Sequence, residues 1–152
     1  GSIRTQQDSS FQLAEAGKLE YKGRTEYSYS YPAAFSNPYF VGGVYFKNVV
    51  LTYVSDTLMR IMLHNIYIPR LYPDYDKRAK KEFRELCKFL KEQWKSSGMK
   101  KTFLQSPDKR IISDGLQWNT NGKTMRAELY EDKSKAHRLY SISITLELSG
   151  YE

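Results

Sequence analysis

The stretch Asp76–Lys95, DKRAKKEFRELCKFLKEQWK, decides the fold. Ala79, Phe83, Leu86, Cys87, Leu90 and Trp94 recur at three- and four-residue steps, which stacks them into one apolar stripe along an α-helix. Most residues between them are strong helix formers. Asp76 stands where the first turn needs a cap, and Gly98 lies just past the last turn. A helix with one apolar stripe must lay it on something, and the flanking sequence supplies strands.

Downstream, Arg138–Leu148 alternates cleanly. Tyr140, Ile142, Ile144, Leu146 and Leu148 oppose Ser141, Ser143, Thr145 and Glu147, the pattern of an antiparallel strand with one buried face. Asn121-Gly122 is the strongest hairpin signal in the chain. It joins Leu116–Asn119 to a return strand over Lys123–Glu131, with Met125, Ala127 and Leu129 inward. Ile111 and Ile112 begin a strand that Gly115 is expected to interrupt. Ser96–Arg110, with Gly98 and Pro107, reads as a basic loop, and Asp132–His137 as a polar turn.

Upstream, Val44–Val54 and Thr57–Ile68 form a hairpin about Ser55-Asp56. Met59, Ile61 and Leu63 share one face, and Arg60, Met62 and His64 the other. Pro69–Tyr75 is a loop leading into the helix, and Ala33–Gly43, holding Pro38 and Gly42-Gly43, is another. Thr25–Tyr31 alternates as a strand with Tyr27, Tyr29 and Tyr31 on one face, and Pro32 ends it. Ser10–Leu19 reads as a short helix with Phe11, Leu13 and Ala14 inward. The expected fold class is α+β: an antiparallel sheet of about six strands with one long and one short helix packed on one face. The order of elements hints at a duplicated αβββ unit. Residues 1–9, opening on a Gly-Ser that matches a tag scar, form a frayed start, and 10–152 form a single domain.

Composition narrows the function classes. The chain has 152 residues, 40% of them hydrophobic and 14% aromatic, enough for a real core and too rich for a disordered segment. No apolar run is long enough to span a membrane as a helix. Cys87 is the single cysteine, so a monomer has no disulfide and no thiolate-based metal site, and its place on the stripe makes it a core residue. The formal net charge is +7, yet Lys77–Arg110 alone holds twelve Lys or Arg against four Asp or Glu, a net of +8. The basicity is therefore regional.

Catalytic patterns are weak. His64 and His137 are the two histidines, and neither is flanked by a metal-ligand or acid–base pattern. Asp74, Asp76 and Glu82 suit a helix N-terminus better than a cation site. No G-x-S-x-G elbow and no phosphate-binding glycine loop occur. No catalytic residue, cofactor or metal is expected.

The candidate binding surface comprises Lys77, Lys80, Lys81, Arg84, Lys88 and Lys91 of the helix, with Tyr45, Lys47 and Arg60 of the first hairpin. Lys and Arg clustered off an apolar stripe form an electrostatic footprint, or else an ordinary solvated face tempered by Glu82, Glu85 and Glu92. Exposed tyrosines beside Lys47 and Arg60 would add a stacking surface.

The run FVGGVYFKNVVLTYVSDTLMRIMLH, the helix KEFRELCKFLKEQW, the hairpin LQWNTNGKTMRAELYE and the strand RLYSISITLEL together resemble uncharacterised secreted or lipid-anchored α+β domains of Bacteroidetes. Those domains are similar in shape to the beta-lactamase-inhibitor-protein-like fold. The resemblance covers roughly Tyr31–Leu148 and is anchored on Gly43, the hairpin, the helix and Trp118. It implies a location in the periplasm or cell envelope and a binding or scaffolding role, and it carries over no catalytic residues.

Three expectations follow. The first is a non-enzymatic binding or interaction domain of a bacterial envelope, with an unknown protein or an anionic ligand as partner. The second is a nucleic-acid-binding module using the basic helix 77–95 and loop 96–110, with weak, non-specific contact. The third is a hydrolase built from dispersed carboxylates and His64.

Overall fold

A computed structural model of the chain describes residues 15–21, 24–32, 39–94, 98–134 and 138–148, the first two segments as backbone only. Ten strands and one helix lie within these residues: β1 (Glu15–Tyr21), β2 (Arg24–Pro32), β3 (Tyr39–Val41), β4 (Val44–Phe46), β5 (Asn48–Val54), β6 (Thr57–Tyr67), α1 (Tyr75–Gln93), β7 (Met99–Gln105), β8 (Ile111–Thr120), β9 (Lys123–Asp132) and β10 (Leu139–Leu148). Eight strands form one antiparallel sheet in the order β1-β2-β5-β6-β10-β9-β8-β7, and β3 and β4 pair separately. The α+β class and the antiparallel sheet agree with the alternation in the sequence.

The strand order has a simple logic. One meander, β1-β2-β5-β6, runs inward from one edge and stops at the sheet centre. Helix α1 then carries the chain across to the far edge, and a second meander, β7-β8-β9-β10, returns to the centre. β10 closes the sheet against β6, with Ile142 opposite Asn65 and Ile144 opposite Leu63.

Local chemistry sets the turns. Gly42 and Gly43, Ser55 and Asp56, and Asn121 and Gly122 all have positive φ, as two-residue hairpins with right-handed strand twist require. The five-residue connection between β7 and β8 is closed by Asp108, which accepts from the Ser106 hydroxyl at 2.6 Å and from the Arg110 amide at 3.1 Å. Ser106 in turn accepts from the Ile111 amide at 3.0 Å.

Helix α1 runs 19 residues, about 28 Å at helical rise, and packs against β10, β9, β6 and β4. Ala79, Leu86 and Leu90 are its buried positions. They meet Tyr67, Leu116, Trp118, Ala127, Tyr140 and Ile142 from the sheet and Val44 and Phe46 from β4. Phe83 and Cys87 are half-buried at the margin of this core.

Several expectations are corrected. Residues 15–19, read as the second half of a short helix, belong to strand β1, paired with β2; residues 10–14 lie outside the described residues. Among the described residues there is one long helix and no short one. The main sheet has eight strands rather than about six. The loop expected over 33–43 contains β3, and the long run from Val44 breaks at Lys47 into β4 and β5. The basic loop over 96–110 contains β7, the sheet's outer strand. Gly115 does not interrupt β8, because it admits close neighbours. A Cβ there would lie 2.6 Å from the Ala127 carbonyl oxygen and 2.8 Å from Thr102 Oγ1. Asp74, not Asp76, occupies the N-cap position, and its side chain makes no capping bond. Trp94 is 41% exposed because its residue ends the helix instead of continuing the stripe. The side chains of Tyr27, Tyr29 and Tyr31 lie outside the described residues, as does His137.

Candidate functional site

The β3–β4 hairpin folds down onto α1. Val44 and Phe46 point into the core with no exposure, so Tyr45 between them must point outward. Tyr45 pairs with Phe40, its cross-strand partner, with ring centroids 4.5 Å apart. Both rings are 57% exposed. Two large aromatic side chains in contact at the surface form an exposed apolar patch on this hairpin.

The hairpin turn meets Phe89 on the helix. Gly42 has φ +58, and a Cβ on it would lie 3.0 Å from the Phe89 Cβ. Glycine at that turn therefore lets hairpin and helix approach. Between them runs an open groove of about 580 Å³ lined by Phe40, Val41, Gly42, Phe89 and Lys88, together with Glu85 and Glu92. Its lining joins apolar side chains to three charged ones, Glu85, Lys88 and Glu92, the composition of a site that orients a partly apolar ligand.

The basic residues do not form one patch. Lys77, Lys80, Lys81, Arg84, Lys88 and Lys91 are all exposed on α1. Lys77 and Lys81 line a shallow polar cleft with Asp74, Arg78, Glu82 and Glu85. Lys88 faces the hairpin groove. Lys80 lies over the Tyr140 ring, its Nζ 5.6 Å from the centroid, and Lys91 lies toward β7. Lys47 donates to the Tyr72 hydroxyl at 2.7 Å, and the Arg78 guanidinium covers the Tyr72 ring at 4.3 Å. Asn65 ties the hairpin to the sheet, accepting from the Lys47 amide at 2.7 Å and donating to the Tyr45 carbonyl at 2.6 Å. The Tyr67 phenol is held protonated, first by burial and then by the nearby Glu82 carboxylate.

Arg60 stands apart from the other eight candidates. Its register partners Thr52 and Glu147 place it on the sheet face away from α1. That face carries its own polar chain. Arg126 donates to Glu147 at 2.6 Å and lies 3.5 Å from Glu128, which accepts from the Ser113 hydroxyl at 3.1 Å. His64 shares this face between Asn48 and Ser143, and burial lowers its pKa. Neither register neighbour is a carboxylate that would set it up as a general base. Among the described residues, no three His, Cys, Asp or Glu side chains gather closely enough to hold a metal ion, and no helix is long and apolar enough to cross a membrane.

A second, smaller groove of about 320 Å³ lies on the other flank of α1, between Phe83, Cys87 and Lys91 and the strands β7 and β8. Sequence reading missed both grooves. Phe40 and Phe89 carried no pattern, and Phe103 stood in a segment read as loop. Comparison with family models, with curated proteins and with solved structures finds no match for this chain.

Proposed function

We propose that this chain is a non-enzymatic binding domain that seats a protein partner in the groove between the β3–β4 hairpin and α1. The observation that carries this reading is the exposed Phe40–Tyr45 pair, rings in tilted contact, beside a largely apolar groove. Aromatic anchors of this kind dominate protein interfaces because they bury large area at small entropic cost. Lys88, Glu85 and Glu92 in the groove lining would set orientation, and an anionic group on the partner would meet Lys88. The resemblance to secreted Bacteroidetes domains supports a place in a bacterial envelope.

The nucleic-acid reading rests on the basic residues of α1. Glu82, Glu85 and Glu92 are interleaved with those residues and line the same clefts, which works against phosphate contact. The test is site-specific photo-crosslinking in the native host, with the crosslinker at Tyr45 and, as control, at Arg60 on the far face. A discrete protein adduct at position 45 that Phe40→Ser abolishes supports the reading. Adducts at position 60 alone overturn it. So does submicromolar oligonucleotide binding at about 150 mM salt that Lys81→Glu, Arg84→Glu, Lys88→Glu removes.

A further inference from the structure

The edge strand β7 has, among the described residues, no partner on its free side in the sheet order. Its seven residues, MKKTFLQ, are exposed except Thr102. Helix α1 packs mainly over β10, β9 and β6, toward the sheet centre. The consequence, among the described residues, is exposed apolar side chains on both faces of the edge. Phe103 is 59% exposed on the helix side and Leu104 70% on the other, with Met99 and Trp94 exposed nearby. On the helix side, β7 also forms one wall of the smaller groove, whose other walls are Phe83, Cys87 and Leu116.

We infer that β7 is a strand-addition site for an extended acidic and apolar segment of another protein, distinct from the hairpin groove. A strand edge offers a row of backbone donors and acceptors to an incoming chain. Alternate residues of that chain would point to opposite faces. One set would enter the groove beside Phe83, Cys87 and Phe103, and the other would lie against Leu104. Charge selects the occupant. Lys91 and Lys101 line the groove against one acid, Asp114, and Lys100 flanks it on β7. The surrounding segment Lys77–Arg110 carries a net +8. A second copy of this chain pairing through β7 would bring two such segments together, which repels. An acidic strand is attracted by the same lysines.

The test uses the full chain, isotopically labelled, and two capped seven-residue peptides. One alternates Glu with Phe and the other alternates Lys with Phe. Amide exchange across Met99–Gln105 reads strand addition directly. The acidic peptide is expected to slow exchange at alternate β7 amides by about tenfold or more at saturation. The paired change Lys100→Glu, Lys101→Glu, at exposed positions, is expected to weaken its binding by about tenfold or more. Leu104→Ser should weaken it as well. Three results would overturn the inference. One is unchanged exchange at β7, including binding that perturbs only the hairpin groove. Another is equal binding of the basic peptide or indifference to the charge reversal. The third is a sedimenting dimer with β7 protected in the absence of peptide, which assigns the edge to a second copy. Because Phe40 and Tyr45 play no part here, failure at β7 leaves the hairpin groove unaffected, and the reverse also holds.

Discussion

Gly42 and Phe89 meet so closely that the Cβ a side chain would need at position 42 lies 3.0 Å from the Phe89 Cβ. The contact docks the β3–β4 hairpin on α1, and φ at Gly42 is +58. Gly42→Ala therefore meets both a strained backbone and a clash. It should destabilise the fold by about 1–3 kcal/mol. A denaturant titration with an unchanged midpoint would show that the hairpin is not held against the helix.

Leu90 and Trp94 lie four residues apart on what the sequence presents as one stripe, yet Leu90 is 1% exposed and Trp94 lies 41% exposed at the helix end. Leu90→Ala should cost about 2–5 kcal/mol, the range for a buried leucine that leaves a cavity. Trp94→Ala should cost clearly less, because it removes mainly the edge contact with Trp118, ring centroids 6.3 Å apart. Equal losses from both, measured by urea unfolding at matched m-values, would contradict this packing.

Burial raises the Cys87 thiol to about 11, and Lys91 offsets this only in part. The thiolate is the reactive form, so at pH 8 roughly one molecule in a thousand carries it. Labelling with iodoacetamide should be slow at neutral pH and rise about tenfold per unit toward pH 11. A rate that levels off below pH 9 would show that the flank between α1 and β7 is more open than Phe83 and Leu116 make it.

His64 is half-buried on the sheet face away from α1, and burial lowers its pKa from 6.5. The folded chain thus binds this proton less readily than the unfolded chain. The stability due to neutral His64 is complete above about pH 6.5 and is lost as pH falls through the lowered folded pKa. The stability difference between the natural chain and His64→Gln should therefore be constant above pH 7 and shift in favour of the glutamine variant as the solution is acidified. Parallel stability curves for the two chains from pH 7.5 to about 4.5 would remove the basis for this assignment.

Some of this protein was decided by sequence alone, and the reason is period. The three-four spacing from Ala79 to Leu90 permits one helical face, and the alternation Tyr140, Ile142, Ile144 permits one strand face. Positive φ at Asn121 and Gly122 follows from side chains that tolerate it. Each is a local property that neighbours in the chain suffice to specify. Strand β7 was not determined this way. An edge strand exposed on both faces has no apolar alternation to read, and Lys100 and Lys101 look like loop. The approach of Gly42 to Phe89 and the separation of Arg60 from the basic helix depend on which element lies beside which. The chain's crossing from the sheet centre to the far edge sets that adjacency. It joins residues about forty to ninety positions apart, beyond the reach of any local pattern.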